Sequence, residues 1–234
     1  MSPVDLFFES FLGNGRNATV FVVYGCYIEM ETISWDRCTM DSFTDRRDNE
    51  TYKTVKIGNQ VWMAENLRYK SEGAVAPFCC SESKSKIYGL LYFLQDFGRL
   101  APDGWRIPSL KDWVCLFRNI HSLRTDDIVN DIVFASAGKF LKSANDWDLD
   151  DDFLCGCAPD EKADPFNFSA LPTGYIQDFA LVEQWKSASF WIANDFDFWT
   201  YRIVLYNFTN NAHIESRRNA DTFACSIRCV RDCS

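Results

Sequence analysis

Apolar residues recur at helical spacing in only two stretches of this chain, 88–99 and Leu110–Ile120, and that scarcity excludes an all-helical fold. The last third reads differently. Residues 200–208, 212–218 and 222–232 are strand-length runs rich in Thr, Tyr, Ile, Val and Phe, separated by the turn signals Asn210-Asn211 and Asn219-Ala220-Asp221. The expected class is α+β: two helices packed on a twisted antiparallel sheet, with long loops where Gly, Pro, Asn and Asp punctuate the chain from Ser136 onward.

The first of the 234 residues stand apart from the rest. Residues 1–43 form a β-rich extension in which Gly13-Asn14-Gly15 signals a turn and 18–29 a hairpin or edge strand. This segment is too apolar for a solvated tail, so it is expected to lie on a sheet edge or to serve oligomer assembly. A charged patch over 41–50 marks the boundary, and 44–232 is expected to be one domain. Within it, 52–62 alternates into a hairpin turned at Gly58-Asn59, with Val55, Ile57 and Val61 facing the core. Pro108 and the cap residue Ser109 open the second helix, whose apolar face carries Leu110, Trp113, Val114 and Phe117.

Composition narrows the partners. A formal charge of −9, from 33 acidic and 24 basic residues, repels phosphate backbones, so nucleic acid is excluded as a partner. Eight Trp, nine Tyr and twenty Phe suit both a β-rich core and a binding face. The apolar stretches 21–28 and 87–94 are too short to cross a bilayer, so no direct membrane insertion is expected. The first residues do not read as a signal peptide, because no Lys or Arg precedes Leu6 and Asp5, Glu9 and Asn14 interrupt the apolar run. The ten cysteines suit disulfides in an oxidising compartment or small buried hydrophobes, and their spacings do not choose between the two.

The run from Thr51 to Leu67, TYKTVKIGNQVWMAENL, resembles the opening of the Fibrobacter succinogenes major paralogous domain. Further blocks follow in family order. They are Tyr88-Gly89 with Leu91-Tyr92, Pro102-Asp103-Gly104-Trp105-Arg106-Ile107-Pro108-Ser109 with Trp113, Gly138-Lys139 with Leu141-Lys142-Ser143 and Trp147, 167–175, Ser189-Phe190-Trp191, and 226–232. The resemblance implies a C-type-lectin-like fold, related to the formylglycine-generating-enzyme group, in secreted or surface-anchored proteins; it settles fold better than function. It also implies that Ala101 stands where the family has a cysteine, which leaves Cys229 without its expected partner.

Residues that could carry chemistry are few. Asp146, Asp148, Asp150, Asp151 and Asp152 offer hard oxygens for calcium but lack the glycine and terminal glutamate of an EF-hand, so a solvated loop is the expectation. No metal or other cofactor is expected. The sugar-binding Glu-Pro-Asn motif of calcium-dependent lectins is missing, and Trp191 is separated from Asn194-Asp195. Cys225, Cys229 and Cys233 recur every four residues, which on one strand would share a face. By analogy with the copper oxidases related to this fold, a copper-thiolate oxidase is the enzymatic alternative. With His121 and His213 as the two histidines and no Gly-x-Ser-x-Gly, a hydrolytic triad has little material.

The chain is therefore read as non-catalytic, a ligand-binding surface or display protein located extracellularly or at the cell surface. Between 192 and 223 the family blocks give way to interleaved aromatic, amide and charged residues, a mixture that suits a contact surface. The residues assigned to binding a protein or glycan ligand are Asp195, Phe196, Asp197, Phe198, Trp199, Tyr201, Tyr206, Asn207, Phe208, His213 and Arg217. Many residue types there are reachable from an asparagine codon by adenine changes, as expected of a protein diversified by a retroelement. The alternative is a structural or adhesive envelope domain in which 192–223 merely covers the core.

Overall fold

The computed structural model describes residues 8–11, 18–21, 39–76, 82–120, 133–134, 136–148, 164–193, 199–218 and 220–233. At the N-terminal end β1 (Phe8–Phe11) and β2 (Ala18–Phe21) pair antiparallel, with Phe8 opposite Phe21; the rest of the expected 18–29 strand lies outside the described residues. β3 (Met40–Thr44) pairs along its length with β4 (Thr51–Ile57), so the charged 41–50 patch is a strand and its return turn. β4 and β5 (Gln60–Met63) form the hairpin read from the alternation, with Ile57 opposite Gln60 across Gly58-Asn59. Gly58 has φ +60°, the left-handed conformation that this two-residue turn requires and that glycine takes without strain.

The expected helix over 88–99 is corrected. α1 (Glu82–Tyr88) ends at Tyr88, because Gly89 takes φ +77° and its missing Cβ admits Asn66. Leu91 then bridges to Val75, β6 (Tyr92–Phe93) is a strand, and the chain turns through a 3-10 turn (Leu94–Asp96) into α2 (Phe97–Leu100). A short apolar run carries no period long enough to separate strand from helix, and here the neighbouring strands decided.

The second helix forms as expected as α3 (Leu110–Ile120), burying Trp113, Val114, Leu116, Phe117 and Ile120. Its start is a reciprocal capping box: Ser109 Oγ accepts from Asp112 N at 3.3 Å, and Asp112 Oδ2 accepts from Ser109 N at 2.9 Å. Asp112 also receives Arg106 Nη2 at 2.6 Å and Gln60 Nε2 at 2.9 Å, which ties the helix to the β5 strand.

β7 (Val133–Phe134), β8 (Tyr175–Gln177), β9 (Ala180–Val182), β10 (Ser187–Ile192), β11 (Thr200–Tyr206) and β12 (Ala212–Arg217) follow. The expected single strand over 222–232 is instead a 3-10 turn (Ala220–Thr222), β13 (Ala224–Cys225) and β14 (Val230–Asp232), and these strands join different sheets. The break has a cause in Arg228, whose guanidinium is buried and must be satisfied by the Asn66 side chain and the backbone carbonyls of Phe168 and Ser169.

In place of one sheet, the described residues hold a hairpin and three four-stranded sheets, ordered β14-β5-β4-β3, β6-β13-β8-β9 and β10-β11-β12-β7. One core cluster lies between α3 and the last sheet, around Trp62, Trp113, Phe117, Phe168, Phe190 and Ile203. A second gathers Tyr52, Tyr92, Trp105, Tyr175, Trp191 and Phe223. Trp62, Trp105 and Trp191 are buried anchors as expected. Residues 226–230 staple the sheets together: Ser226 exchanges backbone bonds with Ser189 and Trp191, Ile227 O accepts from Leu67, and Val230 and Arg106 bond each other twice at 2.9 Å.

Candidate recognition surface

The register of β11 between β10 and β12 sorts the 192–223 segment into two faces. Phe190, Ile192, Tyr201, Ile203, Leu205, Ala212 and Ile214 share the face that covers the first core cluster. Arg202, Val204, Tyr206, His213, Glu215 and Arg217 share the other. That second face is polar yet largely enclosed. Arg202 is buried, its Nη2 donates to Glu215 Oε2 at 2.6 Å, its Nη1 to Ser189 Oγ at 3.3 Å, and its guanidinium carbon lies 3.8 Å from the Tyr175 ring centroid. The Tyr206 hydroxyl donates to the other Glu215 oxygen. Burial alone would raise the Glu215 pKa, but Arg202 and the Tyr206 hydroxyl outweigh it and hold the carboxyl below its ordinary value. Burial lowers His213, whose Nε2 has no hydrogen-bond partner among the described residues.

The eleven residues assigned from sequence do not form one patch. Asp195, Phe196, Asp197 and Phe198 lie outside the described residues. Trp199 and Arg217 sit at the start of β11 and the end of β12, whereas Tyr206, Asn207, Phe208 and His213 sit at the opposite end, about 20 Å away at the ~3.3 Å strand rise. Tyr201 turns inward onto the core. At the far end Asn207 is buried and donates to Asp148 O at 2.6 Å, while Lys142 Nζ donates to Tyr206 O at 2.7 Å and Thr209 O at 2.6 Å. Burial lowers that lysine to about 8. These contacts fix the β11–β12 turn from inside, and Phe208 alone among the four is exposed, its ring stacked 4.9 Å from Tyr206.

Among the described residues the Trp199 end is the more open. A shallow groove there is lined by Trp199, Ile214, Glu215, Ser216, Arg217 and Arg218. Arg218 lies 4.6 Å above the Trp199 ring, and Arg217 lies 4.7 Å above Phe223 while donating to Gln177 Oε1 at 3.1 Å. Beside it, the two-residue turn between β8 and β9 places Phe179 at its tip with the side chain 77% exposed. Asp178 (φ 50°) and Phe179 (φ 63°) are both left-handed, the dihedral signs of a type I′ turn, whose second position ordinarily takes glycine. A phenylalanine there is both strained and wet. Sequence reasoning missed Phe179 and Arg218, neither of which is among the eleven residues assigned from it.

This surface belongs to a recognisable framework. The family model of the Fibrobacter succinogenes major domain matches residues 55–231. The chain belongs to the Fibrobacter succinogenes major domain family. No curated protein and no solved structure matches it. The family blocks map onto framework in this member: Trp62 and Trp105 in the cores, the Ser109 cap, the Lys142 turn anchor and the buried Arg228.

The chemical alternatives fare differently. Cys225 and Cys229 are fully buried free thiols, and burial pushes both up to about 12, the opposite of a thiolate ready to hold metal or attack a substrate. Nor do Cys225, Cys229 and Cys233 share a strand, because the chain leaves β13 after Cys225. Among the described residues no group of three or more His, Cys, Asp or Glu could hold a metal ion; Asp150, Asp151 and Asp152 lie outside them. Among the described residues no helix is long and apolar enough to cross a membrane.

Proposed function

We propose that this chain is a non-catalytic recognition module with a C-type-lectin-like framework, displayed extracellularly or at the cell surface, that binds a protein or glycan ligand at the Trp199–Arg217 end of its last sheet. The observation that carries this reading is Phe179. Its exposed ring and left-handed backbone are two separate costs at one residue, next to the stacked pairs Trp199–Arg218 and Phe223–Arg217. Interface energy concentrates in aromatic and arginine anchors of this kind. A glycan and surface-protein array tests it: binding reproducible with the intact chain and lost in Trp199→Ala and Phe179→Asn supports the module, and binding unaffected by both rejects it.

The burial pattern also limits retroelement diversification on this reading. Ile203, Val204, Leu205, Ala212 and Ile214 are buried, so on this reading these positions are closed to variation. A reverse transcriptase gene beside this one, with a near-copy of the 190–229 coding segment, is the observation that supports it. The structural reading keeps one point in its favour: the Tyr206–Asn207 end is engaged in internal bonds.

A further inference from the structure

Asp164-Pro165 is the one Asp-Pro pair in the sequence, and the fold holds it in an uncommon way. Between 164 and 169 the backbone is left-handed at Asp164 (φ 53°), Asn167 (φ 54°) and Ser169 (φ 52°). A proline ring drives the residue before it towards extended backbone. A left-handed Asp164 is therefore out of place twice, as a residue with a Cβ and as the neighbour of Pro165. The surroundings enforce it: Phe166 and Phe168 are buried in the first core cluster, and Arg228 donates to the carbonyls of Phe168 and Ser169. Strain is held at the residue that owns the carbonyl of the 164–165 peptide bond.

The groups around that bond are those an intramolecular acyl transfer uses. Ser169 N at 2.9 Å and Ser169 Oγ at 2.5 Å both donate to Asp164 Oδ2, which fixes the side chain. The other oxygen, Oδ1, is buried and has no hydrogen-bond partner among the described residues, so it is the one left to react. The Asp164 carbonyl oxygen accepts from Asn167 N at 3.0 Å, a donor placed where negative charge develops when the carbonyl carbon is attacked. Burial raises the carboxyl from an ordinary 3.8 to about 6, against the pull of the Ser169 bonds and of Arg228, which faces it from the 226–230 segment. Glu65 acts on that arginine in turn. The acid therefore keeps its proton in mildly acidic solution, where an exposed aspartate has lost it.

We propose that the chain cuts itself between Asp164 and Pro165, with the Asp164 carboxyl as the nucleophile on its own backbone carbonyl. Oδ1 adds to the carbonyl carbon, the bond from that carbon to the Pro165 nitrogen breaks, and the nitrogen leaves with the carboxyl proton. Asp164 is left as a five-membered cyclic anhydride, which one water opens to two carboxylic acids. Closure through the residue's own side chain makes the attack unimolecular. Proline suits the leaving role, because the nitrogen of a tertiary amide takes up a proton more readily than that of a secondary one. The pairs β5 with β14, β6 with β13 and β7 with β12 straddle the cut, so the two pieces stay joined without the peptide bond. This single turnover on the chain itself goes beyond the recognition reading and does not depend on what the Trp199 end binds.

The test incubates the purified full chain with protease inhibitors at about pH 5.5 and about pH 8, and reads the products by denaturing gel and intact mass. Pieces 1–164 and 165–234 are expected, with Pro165 as the new N-terminus. They should form at least about tenfold faster at the lower pH, and at least about tenfold faster than in concentrated urea at that pH, where the carboxyl returns to its ordinary range. Asp164→Ala should remove the cut. Pro165→Ala, which keeps the carboxyl and its Ser169 bonds, should slow it by about tenfold or more. Hydroxylamine should trap the anhydride as a hydroxamate on residue 164. The proposal is overturned by a chain that stays whole at the lower pH, by cleavage as fast in urea, by a cut at another bond, by undiminished cleavage in Pro165→Ala, or by cleavage in hydroxylamine that leaves no hydroxamate.

Discussion

The guanidinium of Arg202 lies 3.8 Å from the ring centroid of Tyr175 while its Nη2 donates to Glu215 at 2.6 Å, so one buried cation on β11 joins its own sheet to the β8 strand of the next. Removing it leaves Glu215 without its cation and the Tyr175 ring without the guanidinium above it, while Phe223 keeps Arg217. Arg202→Met is expected to lose about 3 kcal/mol in urea denaturation.

Glu215 gives the same site a pH signature. Its folded pKa lies below the ordinary carboxylate value of 4.5, so its contribution is complete above that pH and is lost as pH falls through the folded value. Glu215→Gln should therefore flatten the acid side of the melting-temperature profile below about pH 4.5. An acid side identical to that of the parent protein would contradict the pairing.

Phe179 is expected to respond in opposite senses to two measurements. Asparagine tolerates the left-handed region, and Phe179→Asn removes strain on the order of 1 kcal/mol while giving up a loose ring contact with Phe93 at 6.3 Å. The melting temperature should rise by about 2–4 °C while ligand binding on the array falls. A lower melting temperature would show that the ring is structural.

The buried thiols should be inert in the folded protein. Site-mapped alkylation is expected to leave Cys225 and Cys229 unmodified under native conditions and to modify both in denaturant, because burial keeps them protonated. Rapid native labelling of either at neutral pH would reopen the copper-thiolate reading.

Asn66 is a small residue with a large expected effect. Fully buried, it accepts from Arg228 Nε at 2.8 Å and donates to Tyr88 O at 2.8 Å, at the point where the chain leaves α1. Asn66→Ala leaves a buried guanidinium N–H and a buried carbonyl unpaired, at a cost of about 3 kcal/mol, measurable by chemical denaturation. A loss below 1 kcal/mol would mean that water replaces both bonds.

What the sequence disclosed follows from how local each signal is. Gly58-Asn59 between alternating strands, and Ser109 ahead of Trp113 and Phe117, specify their own structure, and the hairpin and α3 appear where they were read. The 88–99 stretch failed because the groups that decide it are far away in sequence: Asn66 beneath Gly89, and Ala224 and Cys225 pairing with Phe93 and Tyr92. The 222–232 strand failed for a similar reason, since Arg228 answers to Asn66, Phe168 and Ser169. The eleven residues assigned to binding read in sequence as one region, but those of them that are described do not form one patch. Aromatic and polar residues interleave along β11 and β12 because both faces of these strands are packed, one on α3 and one on Tyr175 and Phe223. Nothing local distinguishes a tyrosine turned inward from one turned out.

The staple formed by 226–230 has a bearing on how the molecule comes into being. Trp62, Met63 and Leu67, early in the domain, wait for Val230, Cys229 and Ile227 to complete their ladder, and Arg106 waits for Val230. Pairings of such wide sequence separation are slow to form. While this segment is still within the ribosome, the emerging chain exposes β5 and both aromatic clusters without their closing strand, so native structure forms only after the segment is released. A nascent chain stalled before Arg228 would be a substrate for chaperones.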